Sequence, residues 1–132
     1  MISETTVQLR WSDMDAMGHV NNATYLTYLE TARESWFASI GVSDESLRFA
    51  MRRIEADFLS QLTFDDGAVR VVIELDGVGV SSIRTRERMT ALSDGRLALE
   101  ARAVIVRLDE TGQRSAPWPD DLRERLAGTL MP

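Results

Sequence analysis

The chain has 132 residues and a formal net charge of −6, which predicts a single globular domain over residues 1–132 and disfavours binding to nucleic acid. It contains no cysteine and no lysine, which excludes disulfides, thiol nucleophiles and Schiff-base lysines, and its single histidine argues against a zinc site. With no apolar run of membrane-spanning length and no signal-peptide pattern at the N-terminus, we expect a cytoplasmic protein that does not contact a membrane.

The N-terminal third of the chain predicts a strand followed by one long helix. The alternating sequence TTVQLRW at 5–11 predicts the strand. From Ala23 to Ile40 the apolar residues recur at helical spacing, and Gly41 is placed to end that helix. Because the apolar arc is wider than a surface helix needs, we expect a curved sheet to enclose the helix.

A short second helix is predicted over 44–51, with Ser43 as its N-cap. Strand-like runs then follow at 53–63, 68–78, 80–92 and 97–109. The sequences DDG, DGVG, SDG and DETG lie between or after these runs at hairpin spacing and predict an antiparallel meander. Pro119 is predicted to start a last helix that stops near Gly128. One helix covers only one face of such a sheet, so we expect a homodimer.

Short polar residues are concentrated in WSDMDAMGHVNNATYL, residues 11–26, just before the long helix. A calcium-binding loop does not fit, because Met17 and Thr24 occupy positions that need oxygen ligands. Residues of this kind commonly serve only as caps and turns. The alternative is a site for an anion or oxyanion at the free N–H groups of the helix start, which Asn21 or Asn22 can cap.

A carboxylate beside such N–H groups has the chemistry needed for acyl transfer. Asp15 can attack a carbonyl carbon or activate water against it, while the helix amides stabilise the oxyanion that forms. Gly18 allows a tight turn and a close approach of substrate to the backbone. The residues alone therefore leave two interpretations open, a capped turn or an enzyme site.

Residues 10–33, RWSDMDAMGHVNNATYLTYLETAR, resemble the signature of hotdog-fold acyl-CoA thioesterases of the 4-hydroxybenzoyl-CoA thioesterase-like superfamily. In that signature a D-x-D-x-x-G-H-V-N-N segment leads into a Y-[LF]-x-x-x-E-x-A-R helix. The resemblance implies an α+β hotdog fold, with a five- or six-stranded antiparallel sheet wrapped around one long central helix. It also implies a homodimer or homotetramer that hydrolyses an acyl-CoA thioester without a metal or other cofactor.

The resemblance also implies roles for individual residues. Asp15 would act as nucleophile or as general base, and the backbone N–H of Asn22 would form the oxyanion hole. His19 would either orient Asp15 or water, or only support the turn. Asp13 we expect to hold the loop through backbone N–H bonds.

Contacts to substrate are expected from three further positions besides Gly18. Tyr25 lies either in the core or in the wall of the acyl pocket. Ser82 and Arg84 share one strand face with Arg86 and Arg88, and in related enzymes this strand lines the partner's active site. Arginines at the pocket mouth could hold the phosphates of coenzyme A, whereas a solvated strand face is the alternative for Arg86 and Arg88.

Three other functions remain open. A thioesterase for acyl groups on acyl carrier protein would need a larger arginine patch, because that partner is acidic. A hydratase or dehydratase on the same fold fits the motif less well. A non-catalytic dimer that binds acyl-CoA is disfavoured by the presence of Asp15.

Overall fold

The structure, a computed structural model, describes residues 2–42 and 48–130. It confirms the α+β prediction, because five antiparallel strands form one sheet against a long helix. In chain order the elements are β1 (Ile2–Gln8), α1 (Asn22–Ser39), β2 (Arg48–Phe58), β3 (Ala68–Val78), β4 (Ser82–Ala91), β5 (Leu97–Leu108) and α2 (Asp120–Gly128). Both helices predicted at these positions are present, and over the described residues neither has the length and apolar character needed to cross a bilayer.

The two ends of helix α1 are set by a capping asparagine before it and a glycine after it. The side-chain oxygen of Asn21 accepts a hydrogen bond from the N–H of Ala23 at 2.9 Å, which caps the N-terminus. Gly41 follows the helix with φ +80°, a conformation that glycine adopts without strain. The predicted apolar stripe is buried at Tyr25, Leu29, Ala32 and Trp36, and Ile40 is partly buried.

The order of strands in the sheet is β1-β3-β4-β5-β2, which confirms the meander for β3, β4 and β5 and corrects it for β2. Strand β2 pairs with β5, from Arg48 opposite Leu108 to Phe58 opposite Leu99, and not with β3. The turn sequence DDG at 65–67 therefore joins no hairpin. A strand's own alternation does not specify its partner, so the sequence pattern could not reveal this order.

Two predicted strand ends and part of the predicted short helix were wrong. The first strand ends at Gln8, because the carboxylate of Asp13 accepts the backbone N–H of Arg10 at 3.0 Å and stabilises a 3-10 turn over Trp11–Asp13. Strand β2 ends at Phe58, so residues 59–63 are not part of it. Of the predicted short helix, residues up to 47 lie outside the described residues, and 48–51 belong to β2.

A buried ion pair between α1 and the sheet was not predictable from the sequence pattern. The guanidinium of Arg33 donates two hydrogen bonds, at 2.7 and 2.6 Å, to the carboxylate of Glu87 on β4. The hydroxyl of Thr85 donates a third to the same carboxylate at 2.8 Å. Buried charges need such partners, so this contact fixes the position of α1 along β4.

Candidate active site

Residues 13–21 fold into a short hairpin that leads directly into α1. At its base the N–H of Asn21 donates to the carbonyl of Asp13 at 3.0 Å. Met14 and Val20 form the next antiparallel pair. These backbone contacts join the segment that contains Asp13 and Asp15 to Asn21, the residue just before α1.

Asp15 lies at the tip of this hairpin. Its N–H donates to the carbonyl of His19 at 2.7 Å, and the N–H of Gly18 donates to the carbonyl of Asp15 at 3.1 Å. Gly18 has φ +78°, which a tight turn of this shape requires. Asp15 is two residues from the Asp13–Asn21 pair at the base of the hairpin, so at about 3.3 Å per residue its Cα lies roughly 7 Å from the Cα of Asp13. The structure therefore brings the predicted carboxylate close to the start of the helix.

The carboxylate of Asp15 is exposed, and only one of its two oxygens accepts hydrogen bonds from the residues that the structure describes. Its Oδ1 accepts the N–H groups of Met17 at 2.9 Å and of His19 at 3.1 Å. Its Oδ2 has no donor within the described part of the chain. The side chain is thus held in place by Oδ1, and because the residue is exposed, Oδ2 is available to a substrate or a water molecule.

His19 supports Asp15 through its backbone. Both of its peptide groups bond to Asp15, and the residue forms an antiparallel bridge with Thr63. Its half-buried imidazole makes no hydrogen bond to any residue of 2–42 or 48–130. This geometry agrees with support of the turn, and a role of the ring in orienting water remains a prediction.

One amide at the start of α1 is left without a protein acceptor. The N–H of Asn21 is taken by Asp13, that of Ala23 by the Asn21 side chain, and that of Thr24 by the Asn21 carbonyl at 2.9 Å. The remaining N–H, on Asn22, has no acceptor among the residues that the structure describes. Asn21 is therefore the cap, and Asn22 carries the amide that the oxyanion prediction requires.

Asp13 has a structural position, as predicted, but with more partners than backbone N–H bonds. Its buried carboxylate accepts the hydroxyl of Tyr28 at 2.6 Å and both the backbone N–H and the guanidinium of Arg10. Burial raises the pKa of Asp13, but the hydrogen bonds from Tyr28 and Arg10 outweigh that effect and lower the pKa below its usual value. The group stays charged and anchors the base of the hairpin to α1.

Tyr25 is a core residue in this structure. Its ring is buried and stacks on Phe58 with centroids 5.3 Å apart. Its hydroxyl donates to the carbonyl of Ser60 at 3.2 Å and accepts the N–H of Leu62 at 3.1 Å. Burial raises the pKa of this hydroxyl. The side chain holds the chain after β2, which agrees with the core alternative and leaves contact with substrate as a prediction.

Ser82 and Arg84 lie far from Asp15 of the same chain. The Asp15 hairpin follows the end of β1, which lies near the Ala91 end of β4. Ser82 is at the other end of β4, nine residues away, or roughly 30 Å along the strand. These two residues can therefore contact an Asp15 site only if that site belongs to another subunit.

The arginines of β4 share one face of the sheet, as their alternation predicted, and the structure shows that this face points away from α1. Arg86 pairs with Asp76 at 3.7 Å and Arg88 with Glu100 at 3.5 Å, all on the exposed face of the sheet. Arg84 lies over Gly77, where a Cβ would come within 2.3 Å of its guanidinium. For Arg86 and Arg88 this arrangement agrees with the solvated face.

Two aromatic residues near the hairpin were not identified from the sequence. Trp11 is 76% exposed and packs edge-on against Phe64, with ring centroids 5.6 Å apart. Phe64 follows Thr63, the residue that bridges to His19. An exposed tryptophan is unusual and would have drawn attention to this pair, but exposure cannot be read from the sequence.

Within the described ranges no cluster of three or more histidine or acidic side chains could hold a metal ion.

Comparison with known proteins identifies a family and several similar chains, two of which are named as thioesterases. Residues 9–126 match the family model described as the thioesterase-like superfamily. A thioesterase from Thermus thermophilus, crystallised with coenzyme A and zinc, is 35% identical with a TM-score of 0.84, over 98% of this chain and 96% of that one. An acyl-acyl carrier protein thioesterase from Arabidopsis thaliana chloroplasts is 29% identical over 96% of this chain and 68% of its own length. The uncharacterized protein YsmA of Bacillus subtilis is 25% identical, over 93% of this chain and 84% of its own.

The lowered pKa of Asp13 predicts a stability effect that depends on pH. The charged carboxylate stabilises the fold above the pKa of an unfolded aspartate, about 3.9, and this contribution is lost as the pH falls through the lower folded value. Asp13→Asn should reduce the free energy of unfolding near pH 7 by about 1.5–3 kcal/mol. Urea unfolding should show the difference from wild type shrinking toward about pH 3. Asp57→Asn, at an exposed position on β2, is the control, and an equal deficit at both pH values would contradict the prediction.

Proposed function

Because this chain belongs to the thioesterase-like superfamily and is a thioester hydrolase, we propose that it cleaves acyl-CoA thioesters into a free acid and coenzyme A. One observation carries the proposal. An exposed carboxylate with a free oxygen stands at the tip of a hairpin whose base is the start of α1, where one amide is unpaired. Nucleophilic attack on a carbonyl carbon requires these two groups, a base or nucleophile and a donor to the oxyanion.

The proposed reaction uses Asp15 and the amide of Asn22. As a general base, Asp15 takes a proton from water while the water oxygen bonds to the thioester carbon. The resulting oxyanion is stabilised by the Asn22 N–H and the positive end of α1. When the carbon–sulfur bond breaks, the thiolate of coenzyme A takes up the proton and the acid leaves. Direct attack by Asp15 would give an anhydride that water then cleaves, and it needs the same geometry.

Coenzyme A is favoured over acyl carrier protein as the carrier of the acyl group. The 35% identical Thermus thioesterase was crystallised with coenzyme A, and 96% of its length matches this chain. The Arabidopsis relative, named for acyl carrier protein, favours the second candidate. An acidic carrier would approach a chain of net charge −6, however, and Arg86 and Arg88 are already paired with acidic residues. Acyl carrier protein substrates are therefore the alternative.

A second copy of the chain is proposed to complete the site. Apolar side chains are uncovered on the edge strand β2, where Met51 is 41% and Phe58 45% exposed, and at Leu59 just after it, which is 51% exposed. Phe58 stacks on Tyr25 in the first turn of α1, so this surface borders the start of the helix. A subunit docked there would adjoin the Asp15 hairpin, and dimers can pair again into tetramers.

The activity is tested with acyl-CoAs of different chain lengths, aromatic acyl-CoAs and acyl carrier protein thioesters. Released thiol is read by a colorimetric reagent, and the protein adds no background because it has no cysteine. Asp15→Ala and Asp15→Asn should lower kcat by about 10²–10⁴. Asp120→Asn, at an exposed position on α2, should leave kcat unchanged. Unchanged turnover in both Asp15 variants would refute the assignment, and binding of acyl-CoA with no turnover would favour the non-catalytic dimer.

The oxyanion role of the Asn22 amide is tested with proline. Asn22→Pro removes only the N–H and the exposed side chain, and proline is well tolerated at the first position of a helix. Asn21 has φ −59° and ψ 137°, a conformation compatible with a following proline. We expect Asn22→Pro to lower kcat by about 10²–10³, whereas Asn22→Ala keeps the amide and the rate. Equal rates in the two variants, with equal helix content by circular dichroism, would contradict this role.

The dimer surface is tested by sedimentation velocity. The wild-type chain should sediment at twice its own mass or, for a tetramer, four times that mass. Leu59→Glu places a charge on the proposed interface and should shift the protein toward the monomer and reduce activity with it. Val80→Glu is the matched control, since Val80 is 63% exposed but lies in the turn between β3 and β4. A monomeric wild type, or the same effect from both variants, would overturn the proposed interface.

A further inference from the structure

The chain between β2 and β3, residues 59–67, runs beside the Asp15 hairpin. The N–H of Val20 donates to the carbonyl of Leu62 at 2.8 Å, and His19 bridges Thr63. Both contacts reach the arm of the hairpin that bonds to Asp15. The position of Asp15 therefore depends on where segment 59–67 lies.

Arg96, just before β5, holds this segment from the other side. One terminal nitrogen of its guanidinium donates to the carbonyl of Gln61 at 2.7 Å and to the carboxylate of Asp66 at 2.8 Å. The other donates to Asp66 at 3.0 Å and to Asp94 at 2.9 Å. Ser93 adds a bond to Asp66 at 2.6 Å. A single planar group thus binds two points of segment 59–67 to the turn between β4 and β5.

The two points held by Arg96 flank the residues that touch the hairpin. Gln61 immediately precedes Leu62, whose carbonyl accepts the N–H of Val20. Asp66 accepts the N–H of Thr63 at 2.8 Å through one of the oxygens that bind Arg96. From Arg96 to Asp15 the path therefore runs through backbone hydrogen bonds with no mobile side chain between Gln61 and His19.

We propose that Arg96 is a positioning residue for Asp15, which it fixes through Gln61 and Asp66 of segment 59–67. This inference rests on the proposed function. Without the guanidinium, the Gln61 carbonyl loses its donor and Asp66 loses its countercharge, so the segment can shift away from Val20 and His19. A displacement of about 1 Å at a reacting group can cost 10²-fold in rate, even when the altered residue does not touch substrate.

A purely structural role for Arg96 predicts a different result. The hydrogen bonds of Arg96 join segment 59–67 to the turn between β4 and β5. If they were only structural, their loss would lower the free energy of unfolding, but the folded fraction would keep its full turnover. Loss of positioning instead lowers kcat in folded protein, while KM changes little, because a residue that acts only by positioning Asp15 makes no contact with the substrate. The split between kcat and KM therefore separates the two roles.

The test compares Arg96→Ala with Arg88→Ala. Arg88 is a suitable control because it also pairs with an acidic residue, Glu100, but does so on the exposed face of the sheet. At a temperature where both variants are folded, we expect kcat to fall by about 10–10² in Arg96→Ala with KM within about twofold, and to be unchanged in Arg88→Ala. Because Arg96 is one-third exposed, millimolar guanidinium should enter the vacated site and restore part of kcat. Unchanged kcat in folded Arg96→Ala would overturn the proposal.

A second measurement needs no activity. His19 is the only histidine, so its imidazole proton signals are unambiguous in NMR spectra. In Arg96→Ala these signals should shift and the amides of Val20 and Asp15 should exchange faster, whereas Arg88→Ala should leave them unchanged. If the wild type hydrolyses no thioester, the proposed function fails, and this measurement alone decides whether Arg96 controls the hairpin. Identical His19 signals and exchange rates in both variants would refute the coupling.

Discussion

The unpaired amides at the start of α1 are the constraint on which the site depends. A helix leaves its first N–H groups without internal acceptors, and each must find a partner or face solvent. Here Asp13 and Asn21 take three of them, and the N–H of Asn22 is the one that remains. The hairpin that supplies these acceptors also carries Asp15. Capping the helix and placing the carboxylate are therefore a single structural event, carried out by nine consecutive residues.

The order of strands explains why that hairpin has a second segment of chain bonded to it. Because β2 pairs with β5 at the edge of the sheet, the chain must cross back to reach β3. Segment 59–67 makes this crossing and passes beside the hairpin, where Tyr25 and Val20 bond to it. A simple meander would have joined β2 to β3 by a tight turn and left the Asp15 hairpin without this support. The pairing of β2 with β5, which the turn pattern did not predict, is thus what brings this supporting segment to the site.

Local patterns predicted what local forces determine. The bounds of α1, β3, β4 and β5 and the shared strand face of Arg84, Arg86 and Arg88 follow from periodicity and turn residues. The motif resemblance led to Asp15 and Asn22. Contacts between distant residues were not predictable in this way. Arg33 and Glu87 are 54 residues apart, and Arg96 and Asp66 are 30 apart, so nothing in either neighbourhood marks the partner. In the sequence, Asp66 and Arg96 look like ordinary members of turns.

The two aspartates of the motif are chemically alike and separated by one residue, but their surroundings divide their roles. Asp13 is buried, and its oxygens are filled by Tyr28 and Arg10, so attack on a substrate would require breaking several charge-assisted bonds. Asp15 is exposed and holds its position with Oδ1 alone. A carboxylate that is fully bonded stabilises the fold, and one that is half bonded can both keep its orientation and react. The difference follows from hairpin geometry, since Asp13 faces α1 at the base and Asp15 faces solvent at the tip.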